Sequence, residues 1–301
     1  MATPESLYKY ATTDQAETIL ATNKLRWSSP ELFDEPWAIK LDPKLGFDHL
    51  AINKAMLKTA VSMIFTRDMP SGNLEHPLYK AIRRWRSEDR FHDELEAFGA
   101  LSELLAPTPD TLQQRLHDIV AAWKNLVANS RILCLSETNR DIHSWACYAE
   151  NHRGLALKFG TDDSVCITDP KPVSYVNQRC HLTTVKEQVD DLVGIKRAAG
   201  INGLEQKILT KNKYSASEKE WRCIRHYAEE ELDCGEDVED WYLDEKFDPA
   251  ELQAIYFGFL MPMVSRKKII QLVKSKYPHV VLYAAYPLEH QYDLDFEKIS
   301  C

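Results

Sequence analysis

Residues 7–30, LYKYATTDQAETILATNKLRWSSP, read as strand, helix and strand. Leu7-Tyr8-Lys9-Tyr10 has the aromatic-rich composition of a short strand, and Leu25-Arg26-Trp27-Ser28 returns as a second one, which Pro30 stops because proline has no N–H for a ladder. Between them Thr12 or Thr13 offers a side-chain oxygen to cap a helix running through Leu20. The chain thus opens as a β-α-β unit, and the rest of the sequence is read around it.

From His49 to Val127 the periodicity is helical, most clearly in the stripe Leu112, Leu116, Ile119, Val120, Trp123, Leu126 and Val127. After Ser130 strand patterns return at 132–135, 154–159 and 172–175, with a short helix over 142–150. Helices occupy 183–209, strands 220–226, 253–257 and 280–285, and a helix 264–275 precedes the last of these. The acidic run Glu229 to Asp240 reads as an exposed loop, because like charges repel in a packed layer. Strands, then helices, then strands imply an α+β class: one domain over residues 1–301, built on a mixed, mainly antiparallel sheet with a helical insertion at about 45–130.

The bulk composition narrows the partners. Lys and Arg number 37 against 46 Asp and Glu, a net charge of −9 that does not attract a polyanion. A nucleic-acid partner would need a local patch; Arg83, Arg84, Arg86 and Arg90 around Trp85 are followed at once by Glu88, Asp89, Asp93 and Glu94, the pattern of a solvated helix face. The 7 cysteines form no C-x-x-C pair and suit reduced thiols in a cytoplasm. The N-terminal MATPESLYKY lacks the basic and apolar regions of a signal peptide, and the longest apolar run, Ala254 to Val264, is broken by Gly258 and Pro262, so no membrane partner is expected.

Three short blocks gather the polar chemistry. In Glu218-Lys219-Glu220-Trp221-Arg222, strand alternation would put Glu218, Glu220 and Arg222 on one face. Neighbouring carboxylates push one pKa up while an arginine holds the other ionised, one way to build an acid/base or cation-stabilising pair. The same block also reads as a strand edge blunted by charge. In Trp27-Ser28-Ser29-Pro30 the hydroxyls could bind a sugar or a carboxylate beside an aromatic wall, or simply make a turn beside a core Trp27. In the third block, Cys134-Leu135-Ser136-Glu137 followed by residues 145–154 (WACYAENHRG), Trp145 and Tyr148 share one helical side and are expected to be mostly buried, with His152 at its end near a cleft rim. The spacings of His143, Cys147 and His152, and of Cys180-His181, match no familiar zinc site, so no metal is expected. No G-x-G-x-x-G, P-loop, G-x-S-x-G or H-E-x-x-H is present.

Taken together, LYKY, WSSPELFDEP, CLSE…WACYAENHRG, EKEWR and IYFG…VVLYAAY resemble a large bacterial family built on a domain of unknown function, over nearly the whole chain. Family members usually carry an aromatic before the E-x-E strand and Asn-Asp-Pro after S-S-P; here Ser217 and Asp34-Glu35-Pro36 stand there. That arrangement in turn resembles the ADP-ribosyltransferase fold, whose first strand bears an Arg, His or Tyr, whose second bears a Ser-Thr-Ser-like element, and whose later strand bears E-x-E. The matching positions are Tyr8-Lys9-Tyr10, Trp27-Ser28-Ser29 and Glu218-Lys219-Glu220.

The resemblance implies an NAD-dependent mono-ADP-ribosyltransferase or NAD glycohydrolase, such as a toxin or defence effector, with NAD as substrate. Glu220 would stabilise the cationic ribose, Glu218 would handle the nucleophile, and Ser28 and Ser29 would position Glu220 and the ribose. Tyr8, Tyr10 or Tyr148 would stack on nicotinamide or adenine. Glu220→Gln is then expected to abolish cleavage and leave the fold intact. The alternatives are a catalytically inactive ligand-binding or regulatory module of the same fold, and a nucleic-acid-processing protein using Arg83 to Arg90.

Overall fold

A computed structural model describes residues 2–33, 39, 45–105, 108–227 and 241–299. The Asp34-Glu35-Pro36 turn and the acidic run 229–240 lie outside these residues. In chain order the elements are β1 (Ser6–Ala11), α1 (Thr13–Thr22), β2 (Lys24–Ser28), α2 (His49–Phe65), α3 (Pro77–Ser87), α4 (Glu94–Leu104), α5 (Thr108–Ala128) and β3 (Ser130–Ser136). They continue as α6 (Ile142–Cys147), β4 (Leu155–Gly160), β5 (Lys171–Pro172), β6 (Ser174–Val176), α7 (Val185–Leu192), α8 (Gly200–Ile208), β7 (Thr210–Asn212) and β8 (Glu220–His226). The last are β9 (Tyr242–Lys246), β10 (Leu252–Phe257), α9 (Met263–Lys276), β11 (Val281–Pro287) and β12 (Leu294–Lys298).

The class is α+β with a mainly antiparallel sheet. The chain forms two compact units. Residues 41–126 and 180–208 make the helical one, so the segment read as an insertion is joined by α7 and α8, from residues far along the chain. Its core packs Ile52, Met56 and Ala60 of α2 with Ile82, Leu101, Leu112 and Val189. Three of the four arginines read as a possible basic patch lie on α3, where Arg86 donates to the carbonyls of Met63, Ile64 and Arg67, and Arg84 pairs with Glu88. Among the described residues no helix is long and apolar enough to cross a membrane.

Residues 1–40, 127–179 and 209–301 form the sheet unit. The opening unit follows its local signals. Thr12 and Gln15 form a capping box on α1, Asn23 ends that helix at φ 56°, and β2 starts one residue later. The sheet runs β12-β11-β10-β4-β1-β3-β2-β9, with β8 on β3 and β5 on β8. β10 and β11 are parallel, with α9 as the crossover that such a pair requires. Gly154 precedes β4 at a close approach: a Cβ there would stand 2.2 Å from the Ala11 carbonyl oxygen. Leu7, Leu25, Leu133, Leu157, Phe159 and Ile255 lead the buried core behind the sheet.

One feature of the ladder makes room for a site. β8 pairs with β3 along its whole length, from Ser130↔His226 to Ser136↔Glu220, and so takes one edge of that strand. The other edge is shared: β1 meets it at Tyr8↔Ser136 and β2 at Ser28↔Ile132. Between these two contacts β1 and β2 diverge, and the sheet splits over Cys134. Lys9 Nζ donates to the Cys134 carbonyl at 3.1 Å, a side-chain bond at the level where the two strands part.

Candidate active site

A cleft of about 700 Å³ opens at this split. Its walls carry Tyr8, Lys9 and Tyr10 of β1, Arg26 and Ser28 of β2, Tyr148 after α6, and the carboxylates Glu218 and Glu220. The strand alternation expected for both glutamates holds only from Glu220 onward. Glu218 ends a 3-10 turn over Lys213–Glu218, and Lys219 at φ 44° turns the chain into β8. Glu220 and Arg222, two apart on β8, share a face as the period requires, and Arg222 Nε donates to Glu220 Oε1 at 2.7 Å. β8 is covered by β3 and by β5, and Glu220 and Arg222 are buried, so the segment is no charged free edge.

Lys211 of β7 joins the two carboxylates. Its ammonium donates to Glu218 Oε2 at 2.7 Å and to Glu220 Oε2 at 3.2 Å, and lies 3.4 Å from the Tyr148 hydroxyl. His143 Nε2 lies 3.7 Å from Glu218 Oε1. Burial pushes the Glu220 carboxyl up, but the Arg222 and Lys211 cations outweigh it and hold the group at about 2. Burial lowers Lys211, yet Glu220, Tyr148 and Glu218 raise it beyond an ordinary lysine, so the pair stays charged. Burial drives the Cys134 thiol up to about 12, with Glu220 adding to the rise. The Glu220 N–H donates to the Tyr175 hydroxyl at 2.6 Å, fixing the start of β8.

The other expected residues divide. Tyr8 packs edge-on against Tyr256, and the Tyr10 hydroxyl donates to the Thr138 carbonyl at 2.8 Å; both rings line the cleft. Ser28 lines it too, whereas Ser29 is buried and accepts the Glu31 N–H, capping the turn at Pro30. Trp27 is fully buried in the sheet core with Arg225 over its ring at 4.5 Å, and makes no cleft wall. His152 does not line the cleft. Its ring stacks on Trp145 and lies 4.8 Å from Phe259, in a left-handed turn with Glu150 and Asn151 that leads the chain towards β4. Trp145 is fully buried, as expected, whereas Tyr148, expected to be mostly buried with it, is exposed where it follows α6.

Lys211, Cys134 and Tyr175 are the residues that sequence reading did not assign to the site. Cys134 stood inside a quoted block, but nothing in Thr210-Lys211-Asn212 marks a lysine whose partners are set by a turn seven to nine residues on.

No family model matches the chain, and no curated protein or solved structure is similar to it. What the cleft can do follows from its own chemistry. A buried carboxylate held ionised near neutrality beside a second one, in a cleft lined by three tyrosines, suits a polar ligand that develops positive charge during reaction.

Proposed function

We propose that the chain is an NAD-dependent mono-ADP-ribosyltransferase or NAD glycohydrolase whose active site is the cleft at the split of the sheet. The observation that carries this reading is the meeting of Glu220, Glu218, Tyr8, Ser28 and Tyr148 in that one cleft, with Glu220 held ionised at about 2. Its volume of about 700 Å³ falls in the range of small-molecule and cofactor sites, about 300–1,000 Å³.

The bond from ribose C1′ to the nicotinamide nitrogen breaks with its electron pair leaving on nicotinamide, which departs neutral. The ribose left behind is an oxocarbenium-like cation, and an ionised Glu220 bonded to the 2′-hydroxyl lowers its energy. Water or an acceptor then attacks C1′, and its proton passes to Glu218, a general-base role worth about 10²–10⁴-fold. Tyr8 and Tyr148 offer the faces on which the nicotinamide or adenine ring stacks.

A ligand-binding module without catalysis is the second reading. One observation favours it: Glu220 already accepts from Arg222 and Lys211. Chromatography of free nicotinamide after incubation with NAD separates the two readings. Release by the wild type, lost by at least about 100-fold in Glu220→Gln, supports the enzyme. No release, together with a thermal shift on adding NAD, supports the binding module.

A further inference from the structure

Glu220 Oε2 meets two donors, Arg222 Nη2 and Lys211 Nζ, each at 3.2 Å, while Oε1 accepts Arg222 Nε at 2.7 Å. Each carboxylate oxygen offers about two acceptor positions, so a ligand hydroxyl reaches Oε2 only if a donor withdraws. The Arg222 nitrogens are fixed, because they act together as a fork with the guanidinium buried over the Phe33 ring at 5.3 Å. Lys211 differs, because its second and shorter bond, 2.7 Å to Glu218, holds it in place if the first is released. A lysine ammonium also turns on a flexible four-carbon stem with three donors, which a planar guanidinium cannot imitate.

We propose that Lys211 is the displaceable counter-ion of the carboxylate pair: it caps Glu220 Oε2 until a ligand hydroxyl takes that position, then stays on Glu218 and Tyr148. The proposal rests on the reading of the cleft as an NAD site, in which that hydroxyl is the ribose 2′-OH. Lys211 is therefore a positioning residue. It keeps Glu220 charged and aligned and delivers its acceptor oxygen on ligand arrival, and no covalent bond to it forms or breaks.

The test compares ADP-ribose with its analogue lacking the 2′-hydroxyl on the reacting ribose, by calorimetry at about pH 8, on wild type, Lys211→Met and Lys211→Arg. Without a competitor at Oε2, the affinity ratio of ADP-ribose to the deoxy compound should rise at least about threefold in Lys211→Met, the size of one net hydrogen bond, and return towards wild type in Lys211→Arg. A ratio unchanged in Lys211→Met overturns the proposal, and because both ligands carry the same phosphates the lost cation cancels.

Carbon-13 titration of the glutamate carboxyls needs no ligand. A midpoint about one pH unit higher in Lys211→Met supports the clamp, and superimposable curves overturn it. If neither compound binds the wild type, the NAD reading fails and this titration alone decides Lys211. Should Lys211→Met not fold, the nitrogen-15 ammonium signal of Lys211 in the wild type replaces it: a shift on saturation with ADP-ribose supports the exchange, and an unmoved signal overturns it.

Discussion

Glu220→Gln keeps the size of the side chain and removes its charge, which on sequence grounds leaves the fold intact. The buried geometry makes it costly. The substitution strips the partner from Arg222, which is 2% exposed, and weakens the hold on Lys211. A carboxyl held at about 2 instead of its ordinary 4.5 stabilises the fold by about 3 kcal/mol near neutrality, at about 1.36 kcal/mol for each tenfold change in proton affinity. Breaking a buried pair from one side costs a similar about 3–5 kcal/mol. Because the folded pKa is depressed, this stability is present above about 4.5 and is lost as the pH falls through about 2. Urea denaturation followed by circular dichroism should therefore place Glu220→Gln about 3 kcal/mol below wild type near pH 7, with the gap closing between about pH 4.5 and 2. Equal stability near neutrality, or a gap as wide at low pH as at high, would refute the buried clamp.

Trp145→Ala removes a fully buried ring that meets Tyr10 edge-on and donates from Nε1 to the Asn139 carbonyl; it should lower stability by about 3–5 kcal/mol, and an unchanged melting temperature would contradict that packing. Gly258→Ala places a Cβ 2.1 Å from the His152 carbonyl oxygen, so the variant should be destabilised by at least about 1 kcal/mol on thermal unfolding; full stability would mean that this approach is not so close. In alkylation at about pH 8, read by mass spectrometry, exposed Cys147 should react while half-buried Cys134, its thiol pushed up to about 12, stays protonated and unmodified; equal labelling would refute that upward shift.

The sequence by itself determined the elements whose causes are local. Thr12 and Gln15 start α1 whatever surrounds them, and Pro30 stops β2. The helical stripe from Leu112 to Val127 and the strand pattern at 220–226 appear as read, the latter with the same bounds as β8. Three strands escaped: β7, only three residues long and paired with β6, and β9 and β12, both at sheet edges, where the sequences YLDEK and LDFEK carry no clean alternation.

The candidate site was half legible. The E-x-E spacing brought Glu218 and Glu220 to notice, but for a reason that only partly held, because Lys219 adopts a left-handed backbone and takes Glu218 off the strand. Tertiary structure alone decided that Trp27 faces the core while Ser28 faces the cleft, and that His152 stacks on Trp145 away from it. It alone decided that β1 and β2 share one edge of β3 and part over Cys134, and that Lys211 stands between the two carboxylates. Alternation and capping act over a few residues and leave a mark in the chain. The choice of which strand edge to share, and which buried carboxylate a lone lysine meets, is made between separate segments, 125 residues apart for Lys9 and Cys134, where no local pattern records it.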